Sequence, residues 1–426
     1  MFVPGSIPNI IRSSFNAIIF SSKLSNNFLF LFLNWIKFVL KFSMIAIFSL
    51  LCFFYFRMMF LYRKSWISIS VPTVVNTVDT VSVVVACRNE EENILNLIEN
   101  IKSQNFDTER FELIIVNDHS TDSTTLLLQQ ESENWDKLKV INLEDSISGK
   151  KNAIRKGTKF AKGEIIICTD ADCRIEENWI STIVNYFSEK NIKFVSAPVV
   201  YQSGKPFFSK YQSLEMLSLV SSSASAINRS KATLCNGANL AFRKKEYLSI
   251  PEQEFDNFKT DDVSLLHYFK KNFKNSITFV KQKQAIVTTS MSVNLLSYLS
   301  QKMRWISASK WVKDTDTILV SLLVYGLNLL IVIPVIFLLF MLTVRNYGYY
   351  NELVYVFRNF IFIFLVLVVF FKFLSDYFFL KSVLTFFKRN DLLIYLFLFQ
   401  IVNAVFTVVI VPLSLLIPVK WKDRKL

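Results

Sequence analysis

The chain has 426 residues, 52% of them hydrophobic, and a formal net charge of +14, so it is long enough for two soluble domains or for one domain with a set of membrane helices. The charge is uneven: Lys+Arg against Asp+Glu runs 7 to 0 over residues 1–69, 31 to 30 over 70–317 and 10 to 4 over 318–426. A near-neutral middle excludes a nucleic-acid binder, which needs a basic folded surface, whereas cations flanking apolar ends are what lipid surfaces and topology signals look like. Cys52, Cys87, Cys168, Cys173 and Cys235 show no paired C-x-x-C spacing, and only His119 and His267 accompany them. That is not a zinc site, and buried thiols in a reducing compartment are expected.

In chain order, the first element is an N-terminal anchor. Phe42 to Phe56 is 15 uncharged residues, and snorkelling of Lys41 and Arg57 extends it to a span at about 38–62. It lies too deep in the chain, and lacks an A-x-A-like site, for a cleaved signal peptide. Phe28 to Ile36 offers a further short interfacial or re-entrant piece. Residues 1–69 are therefore expected to form the anchor region.

Residues 70–315 read as alternating strands and helices. Val81 to Ala86 is a β-branched apolar run that suits a buried parallel strand. The stretch Glu90 to Gln104 follows it, with Ile94, Leu97, Ile98 and Ile101 at helical spacing. Strands at Glu112–Val116, Leu138–Leu143 and Glu164–Thr169 then alternate with helices at Ser120–Gln130 and Gly149–Ala161. This predicts a doubly wound parallel α/β sheet, with ligands beyond the carboxyl ends of its strands. Three polar clusters stand at those ends: Arg88-Asn89-Glu90, Asn117-Asp118-His119-Ser120 and Asp170-Ala171-Asp172.

The last region, 316–426, carries spans at about 318–343, 359–381 and 392–418. The first and last of these are free of charge, and the middle one carries Lys372 and Asp376, four apart on one helix face. Arg63, Lys64, Lys381, Lys388 and Arg389 favour a middle domain facing the cytoplasm. Arg12, Lys23, Lys37 and Lys41, and the tail Lys420, Lys422, Arg424 and Lys425, pull against it. The expectation is a multi-pass protein of the cell (inner or cytoplasmic) membrane with its α/β domain in the cytoplasm.

The polar clusters have chemical readings and plainer ones. Asp170 and Asp172 repel unless a cation sits beside them, and a divalent ion shared with a diphosphate would offset both; alternatively they are turn and capping residues. Asp118 suits a ribose or base hydrogen bond, or an N-cap. Lys150 or Lys151 suits donor phosphates, or a solvated helix start. Asp261 and Asp262 precede the apolar helix Val263–Phe269, and one of a close acid pair can be raised toward the range of a general base; a capping pair is the alternative. Arg304 suits bidentate contact with a diphosphate and Trp305 stacking on a sugar, or both belong to an amphipathic surface helix. Gln202 to Ser225, with Phe207, Phe208, Tyr211 and Leu214, offers an interfacial acceptor groove.

Taken in order, VSVVVACRNEEENI, ELIIVNDHSTDS, GKKNAIRKG, ICTDADC, CNGANLAF, KTDDVSLL and QKMRWISASKW resemble the family-two glycosyltransferases with a GT-A fold, over about residues 80–312. The likeness is to the membrane-bound branch that includes ceramide glucosyltransferase and the cellulose and hyaluronan synthases. The resemblance implies a Rossmann-like nucleotide-sugar-binding domain between transmembrane helices. It implies that Ala86, Arg88 and Glu90 line the nucleotide pocket with Asp118 on the uridine-like moiety. Asp170 and Asp172 would be the DxD pair, with Asp172 the direct ligand of Mg²⁺ or Mn²⁺. Asn236 and Gly237 would border the acceptor. Asp262, beside Asp261, would be the general base, and Gln301, Arg304 and Trp305 would be the QxxRW motif. Three departures stand out: ACRNE lacks the usual tyrosine, Asn117-Asp118 has one acid where two are usual, and Asp261 replaces the glutamate of the ED motif.

The expected activity is inverting transfer of a sugar from a nucleotide-diphosphate sugar, a UDP-sugar, to a lipid or glycan acceptor at the membrane. The alternatives are a processive polysaccharide synthase and a catalytically inactive membrane interaction protein. About four spans favour single transfer, and retained Asp118, Asp172, Asp262 and Arg304 favour an active enzyme.

Overall fold

A computed structural model describes residues 39, 42–43, 45–72, 80–202, 204, 206–345, 352–417, 420–421 and 424–425. The chain divides into two units, Met1–Phe54 and Tyr55–Leu426. The piece expected at Phe28–Ile36 lies outside the described residues. A first helix, α1, runs Ile45–Ser68 and overlaps the span expected at 38–62; residues 39, 42 and 43 are helical as well. The apolar and aromatic run past Arg57, including Phe60, Leu61, Tyr62 and Trp66, continues the helix.

The α/β domain opens with β1 (Val81–Cys87), α2 (Ile94–Lys102), β2 (Phe111–Asn117), α3 (Thr124–Asn134), β3 (Leu138–Asn142), α4 (Lys150–Phe160) and β4 (Ile165–Asp170). The four strands are parallel in the order β3-β2-β1-β4. The β-branched runs of β1, β2 and β4 are buried almost throughout, and α2 buries Ile94, Leu97, Ile98 and Ile101 on one face. The chain steps outward from β1 to β3, then crosses back to β4 on the other side of β1. The switch point therefore lies between the carboxyl ends of β1 and β4, where Ala86 pairs with Asp170. A crevice at such a point is where ligands bind in open α/β sheets.

After α5 (Trp179–Val184), β5 (Phe194–Ser196), β6 (Val199–Tyr201) and α6 (Phe207–Ile227), strand β7 (Asn239–Arg243) joins β4. It is antiparallel, so the sheet is mixed and not wholly parallel as the alternation predicts. β7 starts opposite Thr169, so its leading loop, with Asn236 and Gly237, arrives at the edge where β4 ends. The chain continues through α7 (Lys244–Leu248), α8 (Glu252–Asp256), α9 (Val263–Asn272), β8 (Ile277–Phe279), β9 (Val287–Thr289) and α10 (Leu295–Ala308). β8 extends the large sheet beyond β5, while β9 pairs with β6 in a separate two-stranded sheet.

Three long helices follow: α11 (Thr315–Arg345), α12 (Glu352–Phe386) and α13 (Leu396–Leu416). Among the described residues four helical segments are long and apolar enough to cross a membrane: Ile45–Ser68, Thr315–Thr343, Tyr355–Phe386 and Asn390–Leu416, with mean hydropathies of 1.9 to 2.7. Within α12, Lys372 Nζ lies 2.7 Å from Asp376, and Tyr55 of α1 donates to the same carboxylate at 2.5 Å. All five cysteines are free, with Cys87, Cys168 and Cys173 buried.

Candidate active site

Two tight loops build one side of the switch-point crevice. Asn89 and His119, which follow β1 and β2, have positive φ of 52° and 58°, a left-handed conformation that Asn and His enter more readily than most residues. Asn89 Oδ1 accepts from the Thr121 backbone N–H at 2.8 Å, tying the two loops together. Asp118 is buried; its N–H donates to Cys87 O at 2.8 Å and its carboxylate accepts from Gly149 N–H at 3.0 Å. It does not cap the following helix, because α3 starts at Thr124 behind Ser123. Arg88 Nη1 donates to Asp118 O at 3.4 Å, and Glu90 is held by Asn93 Nδ2 at 3.0 Å.

Gly149, at φ 96°, turns the chain into α4 and delivers Lys150 to the other side. Lys150 Nζ bridges Asp170 at 2.6 Å and Asp261 at 3.0 Å; it is not a solvated helix start. Burial opposes its charge, but Asp170 and Asp261 hold its pKa well above the usual lysine value. Asp262 caps α9 through Val263 N–H at 2.6 Å, and its second oxygen accepts from Gly237 N–H at 3.1 Å. A Cβ at Gly237 would lie 2.7 Å from the Asp261 carboxylate and 2.9 Å from Lys150 Nζ, so a side chain here would make these two ion-paired groups shift. Asn236 Oδ1 closes the same loop by accepting from Ala238 N–H at 3.0 Å.

Burial and the neighbouring Asp261 raise Asp262 to about 6, against the pull of Lys150. Asp262 therefore both caps α9 and is raised, with the Val263 and Gly237 N–H groups pulling against the rise. Asp172 is also raised, by burial and by Asp170, and accepts from Thr289 Oγ1 at 3.0 Å. Arg304 faces Asp170, Asp261 and Asp262, which offset part of the lowering that burial imposes on it. Gln301 Oε1 accepts from Tyr201 OH at 3.3 Å. Lys302, between these motif residues, forms a buried pair with Glu215 at 2.7 Å and lies 4.2 Å from the Trp305 ring centroid. Trp305 is 36% exposed.

Lys150, Asp170, Asp261, Asp262, Gly237 and Arg304 thus come together in one cluster. Asp118 lies on the loop side, and Gln301 is tied to Tyr201. Sequence reasoning missed Thr289, Tyr201 and Glu215. Only Glu215 left a signal: it is the lone acid in the apolar helix α6. Of the residues expected to line an acceptor groove in Gln202 to Ser225, Phe207 is 45% exposed beside Tyr395, whereas Phe208, Tyr211 and Leu214 are covered. Those side chains pack inward, Phe208 on Tyr298 and Tyr211 on Tyr298, Phe399 and Phe406, and Leu214 is fully buried.

Among the described residues no three His, Cys, Asp or Glu side chains converge as a metal cage. Two carboxylates at the crevice, Asp172 raised by its neighbour Asp170, still fit a hard divalent ion, which takes one or two carboxylates and completes its shell with phosphate oxygens and water.

Residues 82–249, less than half of the chain, match the family described as glycosyl transferase family 2. Among curated proteins, the β-monoglucosyldiacylglycerol synthase of Nostoc sp. is 30% identical over 138 residues, 32% of this chain and 30% of that protein. The poly-β-1,6-N-acetyl-D-glucosamine synthase of Staphylococcus epidermidis is 28% identical over 208 residues, 46% of this chain and 48% of that protein. The chain spans less than half the length of these relatives. Among solved structures, a mannosyltransferase of Pyrobaculum calidifontis in complex with GDP-Man and Mn²⁺ aligns with a TM-score of 0.48 and 20% identity, over 62% of this chain and 72% of that one.

Proposed function

We propose that this chain, which carries a glycosyltransferase family 2 domain among apolar membrane-length helices, is an inverting membrane glycosyltransferase of GT-A architecture. It would move a sugar from a UDP-sugar to a lipid or glycan acceptor, with its catalytic domain (70–315) on the cytoplasmic side, between membrane regions 1–69 and 316–426. The observation that carries the reading is Asp262: a buried carboxylate raised to about 6, beside a cation-bridged acid cluster at the switch point. A base that titrates near the working pH combines availability with proton affinity.

In this reading Asp262 takes the proton of the acceptor hydroxyl as that oxygen forms its bond to the anomeric carbon. The bond from that carbon to the diphosphate breaks on the opposite face, and the nucleoside diphosphate leaves with the electron pair. Asp261 keeps Asp262 basic by repulsion, and Gly237 N–H orients it. Lys150 and Arg304 offset negative charge that develops on the leaving group. Asp172 and Asp170 would hold Mg²⁺ or Mn²⁺, which when bound supplies further neutralisation of the diphosphate. Ala86, Arg88, Glu90 and Asp118 would seat the nucleotide, Asn236 would border the acceptor, and Gln301 and Trp305 would face the sugars.

A processive synthase is the second reading, favoured by the longer match to the staphylococcal polymer synthase. The four spans among the described residues favour single transfer, since a polymer channel needs more helices around it. The deciding experiment is nucleotide release by detergent-purified protein from a panel of UDP- and GDP-sugars, with Mn²⁺ or Mg²⁺ and then with chelator. Metal-dependent release from one donor is expected; no release and no donor binding, with lipid extract present, would sink the reading.

A further inference from the structure

The helix that carries Gln301, Arg304 and Trp305 is gripped by a buried charge pair. Tyr298, Lys302 and Trp305 recur at i, i+4 and i+7, so they lie on one face of α10. On that face Lys302 Nζ lies 2.7 Å from the Glu215 carboxylate of α6, and Tyr298 OH donates to the same carboxylate at 3.0 Å. The Lys302 and Glu215 side chains are enclosed, at 11% and 13% exposure. One turn earlier on α6, Gln212 is fully buried; it donates to Ser292 O at 2.9 Å and accepts from Ser292 N–H at 3.0 Å. Ser292 Oγ in turn donates to Gln301 Oε1 at 3.4 Å. Gln212 and Glu215 thus fix both the entry to α10 and its middle.

Stability alone does not account for this pair, because a buried ion pair is often no better than an apolar pair of similar volume. What the charge does here is local. Lys302 Nζ lies 4.2 Å from the Trp305 ring centroid, within reach of a cation–π contact, while Trp305 is 36% exposed. The ring is thus held by the ammonium and still open to solvent. Burial pushes the Lys302 pKa down and Glu215 opposes it, so Glu215 keeps the cation that the ring needs. Arg304, the neighbour of Trp305, faces Asp170, Asp261 and Asp262. The ring therefore stands on the helical turn that borders the catalytic cluster.

We propose that Glu215 is a positioning residue for transfer: by holding Lys302 against Trp305, it sets the orientation in which that ring meets the sugars at the crevice. Glu215 touches neither substrate nor the reacting atoms in this scheme and acts through Lys302 alone. The inference rests on the proposed transfer for its consequence in turnover, whereas the orientation of the ring can be measured without it.

The test uses full-length protein in non-ionic detergent. Glu215→Gln removes only the charge, and Glu215→Leu with Lys302→Met replaces the pair by an apolar one, which should keep the melting temperature near that of wild type. The double variant decides if Glu215→Gln does not fold. Hydroxyl-radical footprinting read by mass spectrometry reports the ring directly. Oxidation of Trp305 should rise about threefold once the cation–π contact is lost, with Trp311, 62% exposed on Lys259, as the unchanged control. Nucleotide release stimulated by lipid extract should fall about tenfold, as for a misplaced positioning group, while the donor KM moves less than about twofold. In a Trp305→Leu background, removing the pair should cost less than about twofold more, since the pair acts through that ring. Unchanged oxidation and release in the double variant overturn the proposal. So do fully additive losses with Trp305→Leu, or a melting temperature that falls in step with release. If wild type releases nucleotide from no donor, the transferase reading fails, and the footprint alone decides whether Glu215 sets the ring.

Discussion

Two buried charge clusters in this protein are built on opposite plans. In the membrane-length helices, Lys372 and Asp376 form a balanced pair, one turn apart on α12, with side chains 6% and 9% exposed and Tyr55 on the same carboxylate. At the switch point, Asp170, Asp172, Asp261 and Asp262 outnumber Lys150 and Arg304, and Asp170 and Lys150 remain 35% and 25% exposed. The first cluster is complete in itself, because each charge is neutralised and enclosed. The second keeps an excess of negative charge and an opening, which makes sense where a cation and a substrate arrive. The comparison separates an ion pair that holds helices together from a cluster that the proposed transfer would use.

The comparison can be broken most severely at Asp262. Asp262→Asn is expected to reduce transfer by about 10²–10⁴-fold, the usual contribution of a general base, while donor KM changes little; steady-state nucleotide release with and without acceptor measures both. Near-normal turnover would remove Asp262 as the base.

Breaking the membrane pair should act on stability instead. Asp376→Asn leaves Lys372 buried without its countercharge, and a loss of about 3–5 kcal/mol is expected, read as a large fall in melting temperature in detergent. The double variant Lys372→Met, Asp376→Leu should recover most of it. If the single variant lost catalysis without losing stability, the contrast between the two clusters would fail.

Asp172→Ala, or chelation of divalent ions, should weaken donor binding itself, by roughly tenfold or more for the loss of a charge-assisted ligand. Calorimetry with a UDP-sugar separates this from the Asp262 effect, which should leave donor affinity in place.

The smallest effect expected is a displacement in pH. Asp262 must be ionised to accept a proton, so activity should fall tenfold per pH unit below about 6. Asp261 contributes to the raising of that pKa, so Asp261→Asn should move the acid limb to lower pH. A limb that stays in place would mean that burial alone sets it. For folding the sign is opposite to that for activity. A carboxyl raised in the native state adds stability below its unfolded pKa near 4, and loses it as pH rises through about 6.

Much of the fold is legible in the sequence, because its signals are local. The β-branched runs of β1, β2 and β4 report burial on both faces, and Ile94, Leu97, Ile98 and Ile101 report one helical stripe. Uncharged stretches such as 318–343 report their own membrane length. The motif residues are also legible as chemistry-bearing types at strand ends. The antiparallel entry of β7 was not, because a five-residue strand carries no mark of its direction. Nor was the α6 face legible: Phe208 and Tyr211 read as an open groove until Tyr298, Phe399 and Phe406 were found packed against them.

By itself, then, the sequence determined the first four strands, the helices between them, the apolar spans, and which acids are candidates for chemistry; the short strands after β4 were not read from it. Only the tertiary structure decided that Lys150 bridges Asp170 to Asp261, residues 91 positions apart in the chain, and that Gly237 lies close enough to orient Asp262. The physical reason is range: propensity and hydrophobic period act over a few residues, whereas desolvation and charge–charge coupling depend on what distant segments bring to the same place.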